Sequence, residues 1–287
     1  HVYKSIQLIE PVYLWIKDGE AELRNATHLW GKSTGDVDDI LKSELNDKKI
    51  EVMQCGPAGE KLSCLAAIIN MANRANGRTG LGAVMGSKRL KAVVVRGTSK
   101  KFPIADPKQL NDFARSGVAA FDDNISMVGL RKDGTAGVTS RQHADGGLPT
   151  YNFNSGQFAA SDSISGETMT DSILTGRDTC YACTVRCKRS VTTTFQEEQV
   201  QEKYGGPEYE TLATFGSYCG VSNLSAVAMA NQICNEYGLD TIGTGATIAW
   251  AMECFEEGII SEKDSIIFNN NPINPTNGGL ETINNNR

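Results

Sequence analysis

The sequence predicts an α+β fold, with a β-rich N-terminal part followed by a mainly α-helical one. Three observations carry this. Apolar residues alternate around an Asp18-Gly19 step in "PVYLWIKDGEAELR", the run "LKAVVVRG" reads as a buried strand, and beyond about residue 103 the apolar residues fall at helical spacing.

Taken in order, the chain opens on "HVYKSIQLIE", which reads as the middle of a sheet and starts on His1 rather than Met, as a segment of a longer protein would. Val12, Leu14 and Ile16 then lead into Asp18-Gly19, a pair suited to a two-residue hairpin turn. "STGDVDDILKSEL" places Val37, Ile40, Leu41 and Leu45 on one helical face, with Ser33, Thr34 and Asp36 as N-cap candidates. "KKIEVMQCGPAGE" reads as a strand entering a Gly-Pro turn, and "GEKLSCLAAIINMANRANGR" as a helix ending near Gly77. A glycine-rich loop follows, then the buried strand. In the second part a Gly/Ser/Asn-rich span, "HADGGLPTYNFNSGQFAASDSISG", interrupts the helices. The last helical unit, "NLSAVAMANQICNEYGLDTIGTGATIAWAMECFEEG", reads as two helices joined at Tyr237-Gly238, with Gly238 as a left-handed C-terminal cap. The asparagine-rich end has no apolar pattern and is expected to be disordered. The limits expected are 1–102 for the β-rich domain, 103–268 for the helical domain and 269–287 for the tail.

Composition narrows the function. With 287 residues, 40% of them hydrophobic, the chain can bury a sizeable core. A net charge of −6 argues against nucleic acid as a partner, because phosphate binding calls for a basic face. No apolar run approaches the ~18 residues of a membrane span, so no membrane association is expected. Eight cysteines are too few for a disulfide scaffold at this length, which fits a reducing cytoplasm. There, clustered cysteines more often bind metal than form disulfides.

Four stretches carry chemistry. "NRANGRTGLGAVMGSKRLKAVVVRG" mixes glycines at 77, 80, 82 and 86 with Arg78, Lys88, Arg89 and Lys91; glycine lets the backbone approach an anion and the bases neutralise it. Read as helix, loop, strand, it reverses the dinucleotide-binding order, and it is equally readable as an elaborate turn. "YGGPEYETLATFG" puts Glu208 and Glu210 in the first turn of a helix, where acids either stabilise the helix end or act as a buried acid/base. Asn235 and Asp240 flank the interhelix turn, either as caps or as acceptors for a ligand presenting several N–H groups. "DTCYACTVRCKRS" spaces Cys180, Cys183 and Cys187 as C-x2-C-x3-C. An iron–sulfur cluster with a remote fourth ligand, a zinc site and plain coincidence all remain open. Arg186, Lys188 and Arg189 beside it either offset a cluster's negative charge or form a solvated face.

Together, "GRTGLGAVMGSKRLKAVVVRG", "GLPTYNFNSGQF", the cysteine cluster, "GPEYET" and "NEYGLDTIGTG", in that order, resemble the aldehyde ferredoxin oxidoreductase family of tungsten, sometimes molybdenum, pterin enzymes. The resemblance runs from about residue 1 to 264, and known members are considerably longer. It implies that the β-rich part is a pterin-binding domain and that the helical part carries the cluster cysteines and a second pterin motif. The implied reaction is anaerobic oxidation of a small aldehyde to a carboxylic acid, with electrons passed to ferredoxin. The implied cofactors are tungstopterin or molybdopterin, a [4Fe–4S] cluster, and Mg2+ at the pterin phosphates. Arg78, Thr79, Gly80 and Gly82 would line one pterin. Asn235, Leu239 and Asp240 match the family's D-x-x-G-L-D pterin motif, with Asn in place of the first acid. Cys180, Cys183 and Cys187 would hold the cluster, converging beside the pocket shaped by the turns at Gly80 and Gly238. The fourth cysteine and an active-site histidine are expected outside this chain. Glu210, or else Glu208, would match the glutamate near the metal. Ferredoxin would dock near Arg186 to Arg189, and the full-length protein would form a homodimer. Two alternatives are a benzoyl-CoA reductase-type tungsten subunit, and a non-catalytic remnant with a zinc-binding or empty cysteine site.

Overall fold

A computed structural model describes residues 9–76, 78–98 and 103–261. The expectations for the first eight residues and for the tail at 269–287 lie outside them. The chain divides into two compact units, His1–Met127 with Gln232–Asp240, and Val128–Asn231 with Thr241–Arg287.

In the first unit, β1 (Val12–Lys17) and β2 (Glu20–Asn25) form the expected hairpin. Asp18 and Gly19 both take positive φ, 50° and 95°, as a type I′ turn requires. α1 (Thr34–Glu44) starts on Ser33, whose hydroxyl accepts the Asp36 N–H at 3.1 Å. Next come β3 (Glu51–Cys55), the short α2 (Pro57–Glu60), β4 (Ile68–Asn70), β5 (Arg74–Asn76), α3 (Leu81–Ser87) and β6 (Leu90–Arg96). The strands form one sheet ordered β2-β1-β6-β3-β4-β5, antiparallel throughout except for β1 against β6. α1 covers one face, where Tyr13, Ala92, Val94, Val52, Val37 and Leu41 are all 0–1% exposed. That face carries Tyr13 and Trp15, not the Val12, Leu14 and Ile16 set that the sequence pattern suggested. Both parities of "VYLWI" are apolar, and the choice between them falls to the pairing with β6.

A second difference lies at residues 59–76. The sequence predicts a helix there, but α2 ends at Glu60 and the chain returns as the β4–β5 hairpin. Ile68 and Ile69 are β-branched and sit in a run short enough to serve either state, and pairing with β3 decides. Met71 and Ala72, both at positive φ, make the turn that a helix would have spanned. The glycine loop therefore follows a strand and opens α3, with Gly80 left-handed at its N-cap. Also in this unit is α4 (Pro107–Ala119), capped by Asp106 accepting from Gln109 N–H at 2.9 Å, which buries none of its residues.

The remaining elements, in chain order, are α5 (Ile125–Asp133), α6 (Val138–Ala144), α7 (Gly166–Ser172), β7 (Leu174–Asp178), β8 (Lys188–Val191), β9 (Thr193–Phe195), β10 (Glu198–Val200), α8 (Tyr209–Leu212), α9 (Leu224–Tyr237) and α10 (Thr241–Glu256). The second unit buries Ala136, Leu148, Ile164, Met169, Val191 and Leu212 completely. β7 and β8 pair antiparallel, as do β9 and β10. A π-helical turn over Ala213–Ser217 continues α8, with Tyr218 N–H donating to Ala213 O at 2.9 Å. α9 and α10 are the two helices expected. Among the described residues, no helix is long and apolar enough to cross a membrane.

Candidate functional site

In the first unit the two glycine-bearing turns close on one short segment, Cys64–Ala67. Gly82 N–H donates to Ala66 O at 3.1 Å, and a Cβ on Gly82 would lie 2.4 Å from Ala67 O. On the other flank Ala67 N–H donates to Gly238 O and Asp240 N–H to Leu65 O, each at 2.8 Å. Leu239 pairs with Ala66 as an isolated bridge. The turn itself follows from sequence. Gly238, at φ +73°, terminates α9 in a Schellman motif in which Leu239 N–H reaches Cys234 O at 2.7 Å and Gly238 N–H reaches Asn235 O at 3.3 Å. These contacts group residues 232–240 with the sheet, although in sequence they sit among the helices.

Side chains complete the closure. Arg78 Nε donates to Asp240 Oδ2 at 2.8 Å, across 162 residues of sequence. Asp240 is 8% exposed and Arg78 55%. Asn235 is buried, and its carbonyl accepts the Thr34 hydroxyl at 2.7 Å. Thr79 and Gly80 hold left-handed φ of 68° and 79°. Of the seven residues expected around a pterin, Arg78, Gly82, Leu239 and Asp240 are thus joined directly or through Leu65–Ala67. The donor set suits a pterin: a half-exposed guanidinium for phosphate and a carboxylate for ring N–H groups.

In the second unit the cysteines occupy the connection between β7 and β8. Thr179 Oγ1 donates to Cys183 O at 2.7 Å and to Cys180 O at 3.0 Å, and Cys183 N–H donates to Cys180 O at 3.0 Å. Ala182 and Arg186 are left-handed, with φ of 53° and 55°. Cys180 is exposed, Cys183 and Cys187 are half-buried, and none is in a disulfide. The expected convergence on one point is not present: among the described residues, no three His, Cys, Asp or Glu side chains gather to share one ion. Three thiolates are a donor set that fits an iron–sulfur cluster and zinc alike.

The flanking cations split into two sets. Lys188 and Arg189 are 4% and 1% exposed, which corrects their assignment to a docking face. Burial pushes the Arg189 guanidinium below its ordinary pKa and Arg177 adds to this, while Glu208, Cys187 and Asp133 oppose it. The accessible cations are instead Arg131, Arg177 and Arg186, which with Thr184 line a cavity of about 510 Å3.

The glutamates also part company. Glu208 occupies the N-cap of α8 and is half-buried, its Oε2 accepting the Thr135 hydroxyl, while Thr135 Oγ1 accepts the Tyr209 N–H at 3.1 Å. Glu208 is therefore the cap rather than a first-turn residue, and Pro207 precedes it. Glu210 is exposed, not buried, and its carbonyl accepts the Thr214 hydroxyl at 2.8 Å. Burial, with Glu210 second, raises the Tyr209 phenol pKa. Thr135 and the arginine-lined cavity were not visible in the sequence, because their partners lie some 50 to 75 positions away.

Family models match both parts of the chain: "aldehyde ferredoxin oxidoreductase, N-terminal domain" over residues 7–97, and "domains 2 & 3" of the same family over residues 114–280. The tungsten-containing aldehyde ferredoxin oxidoreductase of Thermococcus kodakarensis is 41% identical over 256 residues, and that of Pyrococcus furiosus 40% over 258. Each alignment takes in 89% of this chain but only 41% of the relative, so the chain spans about two-fifths of their length. An aliphatic sulfonate oxidoreductase, WOR-like subunit, of P. furiosus is 27% identical over 268 residues. Among solved structures, the active-site complex BamBC of benzoyl coenzyme A reductase, bound to 1,5-dienoyl-CoA, superposes with a TM-score of 0.73 at 26% identity. It covers 90% of this chain and 40% of that one.

Proposed function

Because the chain belongs to the aldehyde ferredoxin oxidoreductase family, we propose that it supplies part of a tungstopterin site that oxidises a small aldehyde to a carboxylic acid, with ferredoxin as electron acceptor. Molybdenum is the alternative metal. The observation that carries this reading is the closure of both glycine turns on Cys64–Ala67, sealed by the Arg78–Asp240 pair. When bound, the metal pterin would supply Lewis acidity and accept the electron pair of the aldehyde. Arg78 would hold a pterin phosphate, beside which Mg2+ would sit, and Asp240 would orient ring N–H groups. Thr79 and Gly80 would set the turn. Asn235 offers a neutral amide where the family motif has an acid, a weaker contact than a carboxylate makes.

Cys180, Cys183 and Cys187 would each bind one iron of a [4Fe–4S] cluster, with a fourth ligand from elsewhere in the protein. An acidic ferredoxin would meet the exposed Arg177 and Arg186 and the half-buried Arg131. Glu210, exposed in the first turn of α8, would take the proton from attacking water, with Glu208 holding the helix start through Thr135. A Glu210→Gln variant is expected to keep its tungsten and iron while kcat for aldehyde-dependent viologen reduction falls about 100-fold or more. Undiminished turnover in Glu210→Gln would remove Glu210 from the chemistry. The same result in Glu208→Gln as well would remove both.

The likeness to the benzoyl-CoA reductase complex favours one second reading, a tungsten subunit acting on aromatic acyl-CoA esters within a larger assembly. Turnover of benzoyl-CoA without turnover of aldehydes would select it. Zinc in place of iron, with no tungsten, would instead select a non-catalytic remnant.

A further inference from the structure

One arginine holds the cysteine loop from outside the loop. Arg189 lies on β8, two residues past Cys187, and is 1% exposed. Its guanidinium is met by carbonyls rather than by a carboxylate: Nε donates to Cys187 O at 3.0 Å and Nη2 to Arg186 O at 2.9 Å. Nη1 donates to Lys132 O at 2.6 Å and Nη2 also to Arg131 O at 3.0 Å. Two of these four bonds take the C-terminal end of the cysteine loop, and two take the last turn of α5. In addition, Arg189 O accepts the Gly206 N–H at 2.8 Å, at the start of the segment that carries Glu208 and Glu210. Gly134, at φ +65°, backs the arrangement; a Cβ there would lie 2.8 Å from Cys187 O and 3.1 Å from Arg189 Nε.

An arginine that merely capped α5 would need only the carbonyls of Arg131 and Lys132. Binding both sides at once takes a planar fork, which lysine lacks. A cation sealed this deeply must have its donors met, and these carbonyls take four of the five N–H groups. We infer that Arg189 is a positioning residue, presetting the Cys180–Cys187 loop for iron and placing a buried positive charge that raises the reduction potential of the bound cluster. This rests on the iron–sulfur reading proposed above. The direction of the potential follows from charge alone, since a nearby cation favours the more negative, reduced state.

The experiment uses anaerobically purified holoprotein in four forms: unsubstituted, Arg189→Lys, Arg189→Gln and Gly134→Ala. Each is followed by circular dichroism, by iron release to a chelator and by EPR-monitored redox titration. Arg189→Lys keeps the charge and loses the fork, so iron release is expected to quicken at least tenfold with the midpoint potential unchanged. Arg189→Gln loses both, adding a shift to more negative potential. Gly134→Ala, which crowds the same contacts while leaving the Arg189 charge in place, is expected to behave like Arg189→Lys. Iron release and potential in Arg189→Gln equal to those of the unsubstituted protein would overturn the inference. So would failure of both Arg189→Lys and Gly134→Ala to give folded protein, which would make Arg189 a core residue only. Unsubstituted protein without iron would overturn the iron–sulfur reading itself, and this inference with it.

Discussion

The glycine turns of the first unit and the cysteine loop of the second are both irregular backbone offered to a ligand, yet they are held by opposite means. Around Cys64–Ala67 the main chain packs on main chain, with Gly82 and Gly238 close enough that a side chain on either would collide with backbone. Around Cys180–Cys187 the main chain is held largely by side chains, through hydrogen bonds from Thr179 and Arg189. Backbone contact gives a rigid wall that cannot adjust. Side-chain tethering makes the loop's shape depend on two residues, Thr179 and Arg189, that lie outside the Cys180–Cys187 span.

Breaking the first mode should have the largest effect. In Gly82→Ala the new methyl would sit 2.4 Å from Ala67 O, with Ala66 C and Cβ at 3.0 Å, and none of these is a flexible side-chain end. A loss of about 3 kcal/mol in unfolding free energy is expected, at the upper end of overpacking costs, measurable by chemical denaturation. A loss below about 0.5 kcal/mol would mean that the turn yields and that the two loops are held alike.

Removing the side chains that close the same site should cost less. Arg78 is more than half exposed, so Arg78→Ala is expected to lower stability by no more than about 1 kcal/mol. Its retention of tungsten and pterin through gel filtration should nevertheless fall clearly below that of the unsubstituted protein. Equal retention would leave Arg78 as a structural partner of Asp240 alone.

The effect with the narrowest range is one of pH, absent at neutrality. Burial pushes the Cys55 thiol, at the end of β3 beside the glycine turns, up to about 11 from 9.0. A raised thiol means that the folded state favours the protonated form. Its contribution to stability is therefore whole below pH 9, and is lost as pH rises through about 11. Cys55→Ala should flatten that part of the melting-temperature profile while leaving the neutral range little changed. An unaltered alkaline profile would show that Cys55 ionises as freely in the fold as outside it.

Much of this was legible in the chain because it depends on neighbours. The Asp18-Gly19 hairpin, the Ser33 cap on α1, the strand at 90–96 and the Gly238 stop between α9 and α10 are each set by a few adjacent residues, and each is where the pattern places it. Residues 59–76 defeat a local pattern because "CLAAIIN" is apolar at both periods, and only β3 lying alongside turns it into strand. The sheet face escapes a local pattern for a related reason, since parity within "VYLWI" has no local determinant.

At the candidate sites the division is the same. Residue types and spacing alone nominated Arg78, Asp240, the three cysteines and the two glutamates, because charge, thiol and glycine carry their chemistry with them. Tertiary structure decided which of them meet. It paired Arg78 with Asp240 across 162 positions, buried Lys188 and Arg189 while leaving Arg186 exposed, and gave Glu208 a partner in Thr135. The physical reason is that burial and long-range pairing depend on which surfaces face each other after folding, and no local pattern of residues encodes that.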